Sequence, residues 1–520
     1  MKSIYIITLF FIIAFTQAKE TCQSCHQMIE TSCDLRCEAC HISPNANDVP
    51  QIENGMHARV ILNPSDERWW DEKCVSCHKK QIETFKNSFH YSAANIIGQT
   101  RFLFGKNERP VCDSEEWKTL KDENKAIGHS IADLADNLLS KKCLACHFAA
   151  PAVEDAFGKK RNSGCAACHI PLNQKNGKAL FGHKMQKRVG DTICLTCHNS
   201  NHVGADYYGY FEQDYHNDYR MPYGAKPVFG AYQHRLSPDV HQQRGMHCVD
   251  CHRIDQSKGH GFEKITCEFC HEGFKVSPST SAMRFDDKIT AHHNFHKKVS
   301  CSACHAQWSY QDYGLHLFLD ESNQYEMWEN TPLQGDYQIS RLLNRVLSMS
   351  EKERPYAESA NRLSGKISSG VWYKSWTFRR WEEPPLGIDE KGKYTIIRPL
   401  YQYYITYVDK DENVWLDSQI PRKNDGSKGW AWDNYSPHTI GKIGRNCESC
   451  HGNTKAAGLG IRQSQSDSVS NKITLPNAPI GASAHLLNKR ERNKLLHKSP
   501  LYKKWRAIEF KRSGIDSLFN

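Results

Sequence analysis

Ten times along the chain, two cysteines stand two residues apart with a histidine directly after the second. The pairs are Cys22 and Cys25, Cys37 and Cys40, Cys74 and Cys77, Cys143 and Cys146, Cys165 and Cys168, Cys194 and Cys197, Cys248 and Cys251, Cys267 and Cys270, Cys301 and Cys304, and Cys447 and Cys450. Two thiols at that spacing can form thioethers to the vinyl groups of a porphyrin while the adjacent imidazole is delivered to the iron, the attachment chemistry of a c-type haem. These units use twenty of the 22 cysteines and leave Cys33 and Cys112 as spare thiols or a mutual disulfide. Cysteine-rich exported chains are often disulfide scaffolds, and paired Cys-x-x-Cys units often hold zinc. Neither alternative requires a histidine after every second cysteine. With 27 histidines in 520 residues, ten chance occurrences have a probability on the order of 10⁻¹³. The pattern assigns ten covalent haem c groups, with His26, His41, His78, His147, His169, His198, His252, His271, His305 and His451 as proximal iron ligands.

Removing those ten from 27 leaves 17 histidines, enough to give every iron a second imidazole. Candidate distal ligands are His57, His90, His129, His183, His202, His216, His234, His241, His247, His260, His292, His293, His296, His316 and His438, with His485 and His497 the weakest. The clusters HHNFH at 292–296 and His241 to His247 before Cys248 are the densest. Haems with two imidazoles have low potentials and no open position, so they carry electrons and do not bind substrate.

One stretch allows a second chemistry. Residues 194–223 read CLTCHNSNHVGADYYGYFEQDYHNDYRMPY. Tyr207, Tyr208, Tyr210, Tyr215, His216 and Arg220 could line a pocket over an open haem, with Arg220 holding an anion and Tyr215 or His216 delivering protons. Alternatively the tyrosines pack on porphyrin edges and bond propionates, while His202 and His216 are ordinary distal ligands.

The elements that must position these groups follow from spacing. Met1 and Lys2 open an N-terminus whose apolar run SIYIITLFFIIAF ends at Thr16-Gln17-Ala18, which reads as a cleaved secretory signal over 1–18. The expected location is periplasmic or extracellular, with no membrane span after cleavage. Three motifs fall in an N-terminal haem region at 19–130 and six in a central haem core at 131–310. Steps of about twenty residues between motifs leave room for a helix and a turn, so neighbouring haems must touch. Residues 305–446 contain no cysteine. There QISRLLNRVLSM has helical periodicity, and TIIRPLYQYYITYV, DKDEN and VWLDSQI read as strand, turn and strand. Residues 311–440 are therefore read as a small β-containing haem-free insertion, followed by a C-terminal haem segment at 441–484 and a basic tail at 485–520. The expected fold class is mainly α and irregular, dominated by haem.

Apolar residues make up 39% of the chain and its mean hydropathy is −0.67, low for a chain of this length unless the haems supply the missing core. Of the net charge of +10, residues 489–512 carry +8, from ten Lys or Arg against Glu491 and Glu509. The body is close to neutral before haem propionates are counted, so nucleic-acid binding does not follow from the charge. The tail reads as a docking helix for an acidic partner or another subunit.

The ten motifs, the closely spaced triplets, HQQRGMHCVDCH and the final RNCESCHGNTKAAGLG resemble the multihaem c-type cytochromes of respiratory bacteria over residues 22–460. Within that class the chain is similar to octahaem cytochromes of the hydroxylamine oxidoreductase and tetrathionate reductase kind, although its motif count differs. The resemblance implies parallel and perpendicular haem pairs, work in anaerobic or extracellular respiration, and redox partners such as other cytochromes or a quinol-linked donor, with homo-oligomers or an outer-membrane complex as assemblies. It also implies an alternative activity, reduction or oxidation of nitrite, hydroxylamine or tetrathionate at one open haem.

Overall fold

The computed structural model describes residues 35–46, 59–122, 127–151, 153–154, 160–171, 174–175, 178–179, 185–199, 204–212, 232–252, 266–271, 296, 298–329, 336–375, 377–381, 383–454, 456–457 and 484–496. The first motif, Cys22, Cys25 and His26, lies outside them, as do the signal and most of the basic tail.

Near the motifs the chain is short helices and turns, as a polypeptide wrapped around large plates requires. The longer helices are α1 (Val75–Lys86), α2 (Ala94–Leu103), α3 (Ile131–Lys141), α4 (Tyr337–Val346) and α5 (Lys489–Leu495). Ser130 and Asp133 close a capping box on α3, and Asp336 caps α4 by accepting from the amides of Gln338 and Ile339.

Besides three short two-stranded hairpins, at 153–161, 174–179 and 358–369, the strands in chain order are β1 (Tyr210–Glu212), β2 (Gln233–Arg235), β3 (Gln311–Tyr313), β4 (Leu315–Asp320), β5 (Val371–Lys374), β6 (Phe378–Arg380), β7 (Leu386–Asp389), β8 (Tyr394–Pro399), β9 (Tyr403–Val408), β10 (Val414–Gln419), β11 (Trp432–Asn434) and β12 (Ala484–Leu486). One four-stranded sheet runs β5-β4-β9-β10, with β4 and β9 parallel, and a second runs β11-β8-β7-β12 with every pair antiparallel. The DKDEN turn joins β9 to β10 as its sequence suggests, held by Asp409, which accepts from Asn413.

Alternation along β4 explains why this region is layered. Leu317 and Leu319 face α2 and α3 with Trp372, Ile405 and Tyr407, whereas Phe318 faces α4 with Tyr373, Trp328 and Leu343. The first sheet is thus buried on both faces, and the insertion is larger and more ordered than a small subdomain. The second sheet packs Leu386 and Ile396 against Ala303 and Ala306 of the haem-motif turn Cys301–His305. A further cluster joins Trp70, Trp117 and Ile97 to Leu139, Leu144 and Phe148, so a cut at 130/131 does not separate two cores.

The boundary at 484/485 falls inside β12, which pairs Leu486 with Gly387. Leu495 of α5 is buried in the same cluster as Leu386, so residues 484–496 pack within the chain itself, and the segment expected to dock on a partner cannot begin at 485.

Between α2 and α3, Arg101 meets Asp136 at 2.7 Å with both side chains under a tenth exposed, and Lys106 meets the other carboxylate oxygen at 2.6 Å. Burial pushes the Asp136 carboxyl up, but hydrogen bonds and charge from Arg101 and Lys106 outweigh it and hold it below the ordinary carboxylate value. A depressed folded pKa contributes stability above the unfolded value and loses it as pH falls through the folded one. Asp136→Ala should cost about 2 to 3 kcal/mol by removing two charge-assisted partners and leaving the buried Arg101 with Glu116 alone, and the deficit measured by denaturant melts should shrink as the pH is lowered toward the carboxylate range.

Candidate haem-binding site

The motifs converge on one cavity of about 2940 Å³. Drug-sized ligands occupy roughly 300 to 1,000 Å³, so this space suits several large groups. Of the nine motifs within the described residues, eight contribute lining, through Cys40, Cys74, Cys143, Cys165, Cys194, Cys248, Cys267 and Cys301 with their neighbours.

Motifs touch one another. Cys197 Sγ lies 3.4 Å from the carbonyl oxygen of Cys146, two motifs back along the chain. A hydrogen bond from Cys301 pulls the Cys267 thiol down to about 7, one from Cys248 lowers Cys194, and the charge of Cys450 adds to burial in raising Cys304. Asp191 links two motifs directly, accepting from the amide of Cys248 at 3.0 Å and from His247 Nδ1 at 3.0 Å. Steps such as Cys194 to Cys248 and Cys267 to Cys301 bring motifs into contact, and across the insertion the segment before Cys447 returns to the Cys301 motif, where the amide of Arg445 donates to the carbonyl of Cys304 at 2.6 Å.

Four candidate distal histidines stand opposite motif histidines. Ring centres are 6.3 Å apart for His90 and His198, 6.2 Å for His241 and His271, 6.0 Å for His252 and His438, and 6.0 Å for His296 and His451. An iron about 2 Å from a nitrogen of each ring sets two imidazole centres about 6 Å apart, so the spacing fits a metal held between them. Burial lowers His90 and pulls His252 down to about 4, which keeps the neutral, ligating form.

The other ring nitrogen is fixed by main-chain carbonyls at His41 (Ile61, 2.7 Å), His169 (Gln186, 2.7 Å), His305 (Gly441, 3.2 Å) and His451 (Leu495, 2.5 Å). A carbonyl can only accept, so Nδ1 carries the proton and Nε2 keeps its lone pair for a metal. Two distal rings are backed by buried carboxylates that the sequence reading missed. Asp239 holds His241 Nδ1 at 2.8 Å, and Asp206 lies 3.7 Å from His438 Nδ1 while accepting from its amide at 2.9 Å. The Asp-Val-His spacing before His241 was the one available signal.

His147 departs from this pattern. Its motif, Cys143–Cys146, is a 3-10 turn that His147 leaves in extended conformation, as His252 leaves the helical turn Cys248–Cys251, whereas His41, His169, His271, His305 and His451 end helical turns. The His147 ring is buried beside Trp117, with Nε2 2.9 Å from the carbonyl of Tyr91 and Nδ1 3.4 Å from the amide of Ala149.

Other candidates are placed away from motif histidines. His316 points within the first sheet, with Nε2 2.7 Å from Thr406 Oγ1, and burial pulls it down to about 4. His129 stacks on Trp415 at 3.6 Å, His234 packs on Trp381 at 5.3 Å, and His247 bonds Asp191. His485 meets Glu491 at 3.3 Å. Cys112 bonds the carbonyl of Ala94, and burial pushes its thiol up to about 12. His57, His183, His202, His216, His260, His292, His293 and His497 lie outside the described residues, with Cys33, Tyr215 and Arg220.

Of the tyrosine-rich stretch, the described part serves as a staple. Tyr207 donates to the carbonyl of Met246 at 2.8 Å, Tyr208 donates to Asp191, and Tyr208 stacks on Tyr210. Gly204, at φ +125°, passes so close to His198 that a Cβ there would sit 2.7 Å from the histidine's own.

Among the described residues, no helix is long and apolar enough to cross a membrane. No curated protein and no solved structure gives a significant match to the chain. Residues 240–314 match the family model for cytochrome c3, a segment that holds the motifs at Cys248, Cys267 and Cys301, and this supports a multihaem electron-transfer cytochrome with covalently bound haem c.

Proposed function

We propose that the chain is an exported decahaem c-type cytochrome that moves electrons through closely packed, mostly bis-histidine haems in anaerobic or extracellular respiration. The carrying observation is the set of four imidazole pairs with ring centres 6.0 to 6.3 Å apart, each joining one motif to a distant segment. When bound, each haem iron supplies a one-electron couple. The protein's part is to hold the irons in closed coordination, to exclude water, and to bring successive motifs into contact. His90, His241, His296 and His438 are the distal ligands in this reading. Asp239 orients His241 and favours the oxidised iron by raising that imidazole's basicity, and Asp206 fixes the backbone of His438 by accepting from its amide.

The leader at 1–18 and the cytochrome c3 match support work in the periplasm or outside the cell. Redox partners would be other cytochromes or a quinol-linked donor, with homo-oligomers or an outer-membrane complex as the assemblies. The cavity supports the reading of a haem-dominated fold, since its walls carry eight motifs and protein interiors are otherwise close-packed.

Two measurements test the reading. Intact mass of the mature holoprotein should exceed the polypeptide by ten increments of about 0.6 kDa; eight or fewer would remove the first motif or another from the array. In the reduced protein, His438→Ala should add one carbon monoxide-binding haem, about a tenth of the total, to the wild-type level. His316→Ala should leave carbon monoxide binding unchanged and lower stability instead, because that ring is bonded inside a sheet.

A further inference from the structure

Asp191 opens the helical turn Asp191–Cys194 with its side chain buried, and its contacts reach a second motif. One carboxylate oxygen accepts from the amide of Cys248 at 3.0 Å. The other accepts from His247 Nδ1 at 3.0 Å and from the hydroxyl of Tyr208. None of these atoms takes part in thioether formation, so the link survives haem attachment at Cys194 and at Cys248.

Other carboxylates beside the cavity are placed differently. Glu212 is offset by Lys374 and Arg379, Asp336 is offset by Arg362, and Asp239 backs a single distal ring. Asp191 meets no lysine or arginine among the described residues, since its donors are an amide, a phenol and an imidazole. Burial pushes its carboxyl up, but hydrogen bonds from Tyr208, His247 and Cys248 outweigh that and hold it below the ordinary carboxylate value, so the charge is kept. An anion in that position acts on its neighbours through a low dielectric, where its field is strong.

We infer that Asp191 is the positioning residue of the haem pair at Cys194 and Cys248, joining the two motifs and lowering the reduction potential of both haems by its charge. This rests on the haem reading above and adds to it a residue that sets the potentials of one pair within the array. Reduction of each haem adds one electron to one ferric iron, and a fixed negative charge opposes that step at both. The described part of the tyrosine-rich stretch then has a role in the same pair, because Tyr208 holds the carboxylate in place.

The oxidised holoprotein is titrated reductively, with haem absorbance followed against potential and haem content measured by pyridine haemochrome. Asp191→Asn keeps an oxygen for the Cys248 amide and loses the charge. About a fifth of its absorbance change should move to higher potential, with reduction favoured about tenfold at each of the two haems. Asp191→Glu restores the charge and should titrate close to the wild type. A purely structural role predicts the reverse, because Asn fits the site and the longer Glu does not. An unmoved Asp191→Asn curve, a shift spread over the whole curve, or an equal shift in Asp191→Glu would overturn the assignment. Protein without haem would remove the underlying reading instead. If Asp191→Asn sheds haems, Tyr208→Phe decides the matter, since it touches no attachment residue and withdraws one hydrogen bond from the carboxylate. It should move the same fifth to lower potential, and an unmoved curve there would overturn the assignment.

Discussion

A separation of about 6 Å between paired imidazoles is the constraint on which the rest of this architecture depends. Each pair joins residues far apart in sequence: His90 to His198, His252 to His438, and His296 to His451. Two rings held by one metal tolerate little slack, so every element carrying a histidine must be fixed against the element carrying its partner. This accounts for the density of staples around the motifs. Asp191 ties the amide of Cys248 to the turn before Cys194, and Asp239 holds His241 with one oxygen while the other accepts from Ile440.

The insertion belongs to the same scheme. Its first sheet is buried between α3 and α4 and anchors the N-terminal helices through Trp372, whose indole donates to Asn137 at 2.8 Å. Its second sheet backs the turn Cys301–His305, and its last strand, β11, returns the chain so that His438 reaches His252. A segment without cysteine thus positions two motifs and sets His438 opposite the histidine of another, where the proposed function makes it a ligand. The same logic draws β12 and α5 into the core, where the carbonyl of Leu495 fixes the tautomer of His451.

How much of this was legible in the sequence depends on the range of the interaction. Attachment residues are local, so Cys-x-x-Cys-His could be read directly, and so could α4 and the β9–β10 hairpin, whose periodicity and DKDEN turn lie within a few residues. Pairing is a tertiary fact. His241 and His316 look alike as single histidines, and only the fold sets one opposite His271 and the other inside a sheet beside Thr406. The strand pattern LHLFLD could have marked His316 as a sheet residue. Nothing local marks His147, because its departure arises from the carbonyl of Tyr91, 56 residues away. The basic, apolar-interleaved composition after Lys489 suggested a helix docking on a partner, whereas Leu495 and the preceding strand dock its first turns within the chain itself.

The central claim is that most irons in this chain are closed between two imidazoles. Electron paramagnetic resonance of the oxidised holoprotein, integrated for spins against haem content, tests it most directly. The account predicts that low-spin ferric haem makes up at least about nine tenths of the total, with high-spin signal confined to about one haem. A spectrum dominated by high-spin haem would contradict it, because the paired histidines would then not be holding iron.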